Sequence, residues 1–246
     1  MALLDGQVAL ITGGSRGLGR ALCEVFAREG ATVAFTWRSD AEAAAATLAA
    51  IEAQGARGFS FQTSVTDREA TRAMVKTIEK QTDGIHILVN NAGVGQVVPL
   101  ALMEEEDWDR LMTTNVKGAF LTSQAVLRGM IRRRAGRILN IGSLAGTKMM
   151  QAPVHYCAAK AALRGFTEAL AKEVGRYGIT VNCLAPGVLE EGVSGNLPEK
   201  RLAEYLRNCA LGRVGTFAEC AEVAAFLVSA RNSYMSGATI VVDGAV

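Results

Sequence analysis

Short apolar segments alternate with longer amphipathic segments along the whole chain. Most of the apolar segments are nearly continuous in aliphatic and β-branched residues, without alternation of polar and apolar positions. A strand that is covered by helices on both faces has this pattern, so it predicts strands of a parallel sheet. The predicted strands are 7–12, 31–36, 58–62, 85–89, 137–141, 179–184 and 238–242. The predicted helices are 17–29, 40–54, 67–82, 104–134, 155–177, 200–209 and 218–229.

The order of these elements predicts an α/β fold. Strands that alternate with helices through short connections form right-handed crossovers, and seven such strands predict one open, doubly wound parallel sheet with helices on both faces. Gly30 and Gly178 follow the first and fifth helices, where a left-handed C-cap is expected, and Asp67 can cap the third helix. The chain contains no linker or repeat, so residues 1–246 are predicted to form a single domain.

The composition argues against nucleic-acid binding, membrane insertion and secretion. Lys and Arg number 26 against 24 for Asp and Glu, a balance that gives no electrostatic footprint for nucleic acid or an anionic membrane. No apolar run reaches the roughly 18 residues that span a bilayer, and the N-terminus lacks the basic region of a signal peptide. Five scattered cysteines without a C-x-x-C pair favour reduced thiols. We therefore expect a cytoplasmic protein without a metal site, in which His86 and His155 are structural.

A glycine-rich segment, 12–19 (TGGSRGLG), joins the first strand to the first helix. Gly13 can form the tight turn, Gly17 lets the backbone approach a pyrophosphate, and Gly19 permits close helix–sheet packing. The free N–H groups and the positive dipole at the start of the helix favour an anion there. Glycine is also common in turns for steric reasons alone. The location of this glycine-rich segment after the first of seven strands nevertheless predicts a dinucleotide site. Its predicted contacts are Gly13, Ser15, Arg16, Gly17, Leu18 and Gly19.

The end of the second strand indicates which dinucleotide binds. An acidic residue there would bond the ribose hydroxyls of NAD and repel a 2′-phosphate, but this chain has Thr36, Trp37 and Arg38 there and no acid from the strand end until Asp40. Arg38 can reach the 2′-phosphate and Arg16 projects toward the same pocket, which suits a phosphate dianion. The alternative is that Arg38 is only a solvated surface charge. We predict NADP(H).

Tyr156 and Lys160 open the helix that is predicted to begin near residue 155. Residues four apart stand on one helical face, so the phenol and the ammonium are expected to be neighbours. A phenol is a poor acid–base catalyst at neutral pH. A cation about 4 Å away would favour the phenolate by roughly 4 kcal/mol at an effective dielectric of about 20. The pair alone is weak evidence, because both residue types are common on helices.

Several further motifs accompany this pair in a fixed order. Asn90-Asn91-Ala92-Gly93 follows the fourth strand, Asn115-Val116-Lys117-Gly118 lies in the next helix, and Ile141-Gly142-Ser143 follows the fifth strand. Pro186-Gly187 follows the sixth strand, and Val242-Asp243-Gly244 lies at the end of the sequence. With these motifs the chain resembles the short-chain dehydrogenase/reductase family over essentially its whole length. The resemblance implies a Rossmann fold and an oxidoreductase.

The resemblance also implies a catalytic tetrad of Asn115, Ser143, Tyr156 and Lys160. Tyr156 would protonate the substrate carbonyl as hydride arrives from the nicotinamide, and Ser143 would hydrogen-bond the same oxygen. Lys160 would hold the nicotinamide ribose, and Asn115 would anchor a water that links Lys160 to solvent. The alternative for Asn115 is a satisfied core amide.

The remaining cofactor contacts come from the same resemblance. Besides Tyr156 and Lys160, they are Ser64, Val65, Asn91, Ala92, Gly93, Pro186, Gly187 and Val188. Two positions depart from the family pattern. Many members carry Asp or Asn where this chain has Ser64, and many place Thr where it has Glu191.

Within the family the chain is most similar to 3-oxoacyl-[acyl-carrier-protein] reductases, which implies a ketone substrate on an acidic carrier. Arg134 matches a docking arginine, whereas the second docking position falls on Tyr177 with Arg176 beside it. The alternative for 132–134 is a cationic helix end favoured by the macrodipole. A substrate lid is predicted over 188–212, with apolar positions Leu189, Val193, Leu197, Leu202, Tyr205 and Leu206.

Other functions stay open at this point. The chain can instead be an oxidoreductase for a free alcohol or ketone, such as a sugar, steroid or xenobiotic carbonyl. It can also be a catalytically silent NADPH-binding subunit of a heteromeric reductase. The family generally forms tetramers or dimers, so Trp108, Met112, Phe120 and Phe166 serve either a subunit interface or the monomer core.

Overall fold

The computed structural model describes residues 2–148, 151–190 and 199–246. Its strands are β1 (Val8–Ile11), β2 (Thr32–Trp37), β3 (Gly58–Gln62), β4 (Ile87–Asn90), β5 (Gly136–Ile141), β6 (Ile179–Pro186) and β7 (Thr239–Val242). Its α-helices are α1 (Gly17–Arg28), α2 (Ala41–Ala53), α3 (Arg68–Gln81), α4 (Glu105–Met112), α5 (Gly118–Arg133), α6 (Val154–Val174), α7 (Glu199–Asn208) and α8 (Phe217–Leu227).

The seven strands form one sheet in the order β3-β2-β1-β4-β5-β6-β7, and every neighbouring pair is parallel. Ile11 at the end of β1 pairs with Phe35 of β2 on one side and with Val89 of β4 on the other. The chain therefore winds outward in one direction through β2 and β3, and in the other direction through β4 to β7. This confirms the doubly wound parallel sheet, and each predicted strand is present within about two residues at either end.

Two apolar cores cover the two faces of the sheet. Ala9 and Ile11 of β1 pack with residues of α1, α2 and α8 on one face. Val8 and Leu10 pack with residues of α3, α5 and α6 on the other face. Successive side chains of a strand point to opposite faces, so a strand that lies between two helix layers is apolar at every position. This double burial explains the absence of alternation in the sequence.

The structure changes two of the predicted helices. The predicted helix 104–134 is not one regular α-helix, because a π-helical segment, Thr113–Lys117, joins α4 to α5. Gly118 N–H donates to the Thr113 carbonyl five residues earlier, which widens the helix where Asn115 lies. The predicted helix 155–177 is α-helical only to Val174 and ends in a 3₁₀ turn with Gly178 in the left-handed conformation. Short π-helical insertions are frequent at functional sites.

His86 gives the fold a testable dependence on pH. Its Nδ1 accepts a hydrogen bond from Val8 N–H at 3.0 Å, which requires that nitrogen to be unprotonated. Burial and the nearby Arg133 cation lower the pKa of His86, so the unfolded chain takes up a proton more readily than the folded one. The stability from this bond should be complete at neutral pH and should fall as the pH drops below about 6.5.

We expect the thermal midpoint to fall by a few degrees between pH 7.5 and pH 5.5, with a smaller fall in His86→Asn, whose side-chain oxygen still accepts from Val8. Burial also lowers the pKa of His155, so part of the effect should persist in that variant. An equal fall in both proteins would contradict the role of His86.

Candidate active site

The motif residues meet at one edge of the sheet. The glycine-rich segment leaves the carboxyl end of β1, Asn91–Gly93 leaves β4, Ser143 follows β5, and Gly187 follows β6. Because all strands are parallel, these ends lie along the same edge. β1 and β4 are neighbours at the point where the winding reverses, and a ligand crevice is expected beside such a point.

The glycine-rich segment is fixed by hydrogen bonds to the end of β2 and to the segment after β4. Gly13 N–H donates to the Thr36 hydroxyl at 3.0 Å, and Gly14 N–H donates to the Thr36 carbonyl at 2.8 Å. The buried Thr12 hydroxyl accepts from Asn91 N–H and Ala92 N–H at 3.0 and 2.9 Å. Gly13 has a φ of +69°, and a Cβ on it would lie 3.0 Å from the Ala92 Cα. The segments after β1 and β4 and the end of β2 are thus held together as one hydrogen-bonded unit.

The start of α1 fits an anion. Asp40, Asp67 and Thr216 each cap a helix N-terminus with a side chain, whereas α1 has Arg16 at this position without a side-chain cap. The first turn of α1 also contains no acidic residue. Its first N–H groups are therefore left for an external acceptor, and the helix dipole favours a negative one. A pyrophosphate fits this position.

The cations predicted for the 2′-phosphate lie beside this unit. Arg38 follows β2 two residues after Thr36, and both Arg16 and Arg38 are exposed. Within the described ranges neither guanidinium has a hydrogen-bond or ion-pair partner. The Asp40 carboxylate accepts from Ala43 N–H at 2.9 Å as the cap of α2, so the first acid after β2 already has a structural function. Both arginines are therefore exposed at this edge of the sheet, where an anion could reach them.

Ser64 and Val65 lie after β3 at the same edge. The Ser64 hydroxyl lies 2.8 Å from the Thr66 hydroxyl and also accepts from Thr66 N–H at 3.4 Å. Val65 is buried against Gly118 at the start of α5. Val65 therefore helps to join the β3 end to α5, and Ser64 would have to share its hydroxyl to contact an adenine.

Lys160 and Tyr156 lie on one face of α6. The Lys160 side chain is buried, and its Nζ donates to the carbonyl of Ile141, the last residue of β5, at 2.8 Å. This Nζ lies 5.7 Å from the centroid of the Tyr156 ring. An ammonium has three donors, so two remain for the hydroxyls of a ribose. The Tyr156 hydroxyl has no partner in the part of the chain that the structure describes, and it is available to a substrate.

Ser143 begins a short 3₁₀ turn, Leu144–Gly146, that packs against α6. A Cβ on Gly146 would lie 2.5 Å from the backbone carbon of Lys160, so the turn and the helix are in direct contact. The Ser143 hydroxyl accepts from Ala145 N–H at 3.2 Å and has no acceptor of its own among the described residues. Its hydrogen can therefore be donated to a substrate oxygen next to the face that carries Tyr156 and Lys160.

Asn115 is buried in the π-helical segment, which contacts α6. Its side-chain oxygen accepts from Val94 N–H at 2.8 Å, and its amide nitrogen donates to the Val94 carbonyl at 2.9 Å. A Cβ on Gly93 would lie 2.8 Å from this oxygen, which explains a small residue there. The amide retains one hydrogen and one lone pair for a water. Asn115 fixes the segment after β4 whether or not it also binds that water.

Comparison with known proteins identifies the family. A family model described as short chain dehydrogenase matches residues 7–202. The chain is 41% identical over 241 residues to the 3-oxoacyl-[acyl-carrier-protein] reductase FabG of Vibrio harveyi, covering 98% of this chain and 97% of that protein. The chain belongs to the short-chain dehydrogenase/reductase family. The Escherichia coli FabG is 39% identical over 240 residues, covering 98% of this chain and 97% of that protein.

A solved structure supports the same conclusion. A gluconate 5-dehydrogenase from Burkholderia cenocepacia, in complex with NADP and tartrate, aligns with a TM-score of 0.92 at 35% identity. The alignment covers 98% of this chain and 95% of that chain. The predicted family and fold are thus confirmed: this short-chain dehydrogenase/reductase is an oxidoreductase of CH–OH and C=O groups, from a family that binds a nicotinamide cofactor.

The residues at the carboxyl end of β6 lie at the same edge of the sheet as the other motif residues. Val188 N–H donates to the Tyr205 hydroxyl of α7 at 3.1 Å, and Gly187 N–H donates to the Val242 carbonyl at 2.9 Å. Pro186 is buried at the end of the strand. Glu191, Val193 and Leu197 of the predicted lid lie outside the described residues.

In the part of the chain that the structure describes, no helix is long and apolar enough to cross a membrane. The same part contains no group of three His, Cys, Asp or Glu side chains that could hold a metal ion.

The predicted carrier-docking arginines lie at the opposite edge of the sheet. Arg134 Nη2 donates to the Arg176 carbonyl at 3.0 Å, so the structure brings these two exposed residues together. They lie where β5 and β6 begin, beyond the end of α6. Tyr156 and Arg176 are 20 residues apart along this helix and its final turn, which corresponds to roughly 30 Å.

Sequence reasoning did not predict the hydrogen bonds that support the site, and it listed Tyr205 only as an apolar position of the predicted lid. Thr12 and Thr36 bind the backbone of the segments after β1 and β4, and Tyr205 binds the backbone after β6. Thr12 and Thr36 carried a signal, because each is a hydroxyl near the end of a mostly apolar strand and needs a partner when buried. Tyr205 carried none, since its partners are 17 and 38 residues away in the sequence.

Proposed function

We propose that this protein is an NADPH-dependent ketone reductase with Tyr156 as proton donor, and that its substrate is a 3-oxoacyl thioester. The observation that carries the proposal is the meeting of Tyr156, Lys160 and the Ser143 turn at the sheet edge that also holds the glycine-rich segment. A donor hydroxyl, a cation and a dinucleotide site in one place suit the reduction of a carbonyl.

The chemistry follows from the free donors. A bound nicotinamide supplies the hydride. The Tyr156 hydroxyl would transfer its proton to the carbonyl oxygen, and the Ser143 hydroxyl would donate a hydrogen bond to that oxygen as its charge develops. The Lys160 ammonium would stabilise the resulting phenolate and orient the ribose through the donors that Ile141 leaves free. Asn115, Gly93 and Thr12 would keep the surrounding backbone in place.

The preference for NADPH would rest on Arg38. A guanidinium bound to phosphate contributes roughly 1.5–3 kcal/mol, so Arg38→Ala should raise the NADPH Michaelis constant by about tenfold to a hundredfold. NADH turnover should change little. Arg68→Ala, which removes an exposed cation from the start of α3, is the control. Equal effects on both cofactors, or none, would contradict this role.

The surroundings of the site suit an apolar acyl chain. Val97, Leu100 and Leu102, on the segment that follows β4, are 65%, 62% and 71% exposed, and the exposed Val154 begins α6 two residues before Tyr156. Exposed apolar side chains on the segments that adjoin the site favour an apolar ligand. The two FabG relatives are named as 3-oxoacyl-[acyl-carrier-protein] reductases, which supports a thioester substrate.

A second candidate is the reduction of a free ketone. The separation of roughly 30 Å between Tyr156 and Arg176 places the arginine patch away from the site of its own subunit. A carrier bound to Arg134 and Arg176 would need a long acyl arm or the site of another subunit. The similarity to a gluconate 5-dehydrogenase also agrees with a free substrate.

One panel of substrates distinguishes these functions. Acetoacetyl thioesters on carrier protein and on coenzyme A, and a set of free ketones, are compared by kcat/KM with NADPH and NADH. The highest value for the carrier-bound thioester, reduced by Arg134→Ala only for that substrate, would support the first proposal. A preference for free ketones would support the second. Binding of NADPH without turnover of any ketone would indicate a silent subunit and overturn both.

A further inference from the structure

The segment Asp243–Val246 joins α7 to the turn that carries Ser143. It follows β7 and pairs with the chain beyond α7, since Leu211 N–H donates to the Gly244 carbonyl at 3.2 Å and Ala210 N–H to the Ala245 carbonyl at 3.3 Å. Val246 packs against a small apolar cluster of Leu144, Tyr205 and Cys209. The segment thus contacts α7 and the turn that carries Ser143.

An ion pair connects this segment to the Ser143 turn. Lys148 Nζ lies 2.7 Å from Asp243 Oδ2 and also donates to the Val246 carbonyl at 2.6 Å. The Asp243 side chain is only 9% exposed, and its other oxygen accepts from Ala245 N–H at 3.0 Å. Burial alone would raise the pKa of Asp243, but the Lys148 ammonium and the Ala245 N–H hold it below its usual value. The carboxylate is therefore charged and oriented at neutral pH.

Lys148 belongs to the same compact turn as Ser143. Gly146 N–H donates to the Ser143 carbonyl at 3.0 Å, and Lys148 N–H donates to the Leu144 carbonyl at 2.9 Å. Gly146 meets the backbone of Lys160 on α6. The turn therefore contacts α6 on one side and is paired with Asp243 on the other, so the Lys148–Asp243 pair helps to fix the position of Ser143.

Asp243 also reaches the exit of β6 through its backbone. Its carbonyl accepts from the Tyr205 hydroxyl at 3.1 Å, and that hydroxyl accepts from Val188 N–H at 3.1 Å. One residue therefore connects the turn of Ser143, by its side chain, to the segment after β6, by its carbonyl. In the proposed function these are the parts that contact the substrate oxygen and the cofactor.

We propose that Lys148, Asp243 and Tyr205 are positioning residues, which form a brace that sets the position of Ser143 relative to the segment after β6. None of the three needs to touch the substrate. The inference rests on the proposed function, because it assigns these residues to the same site. Displacement of a catalytic group by about 1 Å can reduce a rate by as much as a hundredfold, so a brace of this kind acts on kcat.

Kinetics of Lys148→Met, Asp243→Asn and their double variant test the brace. Each single variant should lower kcat by about fivefold to fiftyfold, with little change in KM or NADPH affinity. The double variant should have a kcat no lower than that of the slower single variant, because each substitution already breaks the same Lys148–Asp243 ion pair. Tyr205→Phe should lower kcat through the other connection. Arg72→Met, which breaks the exposed Arg72–Glu69 pair on α3, is the matched control and should have no effect.

Hydrogen–deuterium exchange tests the same brace without a substrate. Amides of residues 144–148 should exchange faster in Lys148→Met and Asp243→Asn than in the wild type, at temperatures well below each thermal midpoint. An increase in KM alone would overturn the inference and make Lys148 a substrate contact. Unchanged kcat and unchanged exchange would overturn it while the proposed function stands. A wild type that reduces no ketone would overturn the function, and the exchange result would still decide whether the brace exists.

Discussion

Replacement of Tyr156 by Phe should lower ketone turnover by about a hundredfold to ten-thousandfold, while NADPH affinity stays nearly unchanged. The variant removes the proposed donor of the proton and retains the ring. Lys160 Nζ would keep its position, because its hydrogen bond to the Ile141 carbonyl does not involve Tyr156 and its contact with the ring needs no hydroxyl. The loss should therefore lie in kcat.

Tyr234→Phe is the matched control, because the Tyr234 side chain is 99% exposed and has no proposed function. Stopped-flow measurement of NADPH oxidation and fluorescence titration of NADPH would separate turnover from binding. Retained turnover in Tyr156→Phe would remove Tyr156 from the mechanism. Lost NADPH binding would instead indicate that the hydroxyl contributes mainly to the cofactor site.

The fold could be predicted because burial determines the sequence pattern directly. A strand such as Val8–Ile11 is apolar at every position because two helix layers cover it. The π-helical segment Thr113–Lys117 could not be predicted in this way. The segment covers only five residues, whereas apolar periodicity is read over windows of about 11–18 residues, so 104–134 has the pattern of one regular helix.

The candidate site could be predicted only in part, for a related reason. Tyr156 and Lys160 are four residues apart on one helix, so their proximity follows from helical geometry. The brace has no such local signal. Lys148 and Asp243 are 95 residues apart, and only the position of β7 beside β6 brings them together. Contacts between distant segments are a property of the sheet order, which the pattern of elements limits but does not specify.

Replacement of Gly19 by Ala should abolish NADPH binding, with a loss of affinity above about a hundredfold. A Cβ on Gly19 would overlap the Gly13 carbonyl oxygen and lie 2.7 Å from Asn91 Nδ2. The Asn91 amide donates to the Thr12 and Gly13 carbonyls at 2.9 and 3.1 Å, so these groups cannot move without breaking the connection between the segments after β1 and β4. Overpacking of this kind also costs about 1–3 kcal/mol of stability.

Gly165→Ala is the matched control, because Gly165 lies in α6, is exposed, and has no atom outside the local helix backbone within 4 Å of the position of an added Cβ. This variant should leave NADPH affinity unchanged and raise the free energy of unfolding by about 0.4–1 kcal/mol, since alanine restricts the unfolded chain and favours helix. Calorimetric titration with NADPH and thermal unfolding would be measured on both proteins. Because a misfolded Gly19→Ala would also fail to bind, its circular dichroism must match the wild type. A folded Gly19→Ala that binds NADPH normally would show that close packing of α1 against the Gly13 carbonyl does not shape the cofactor site.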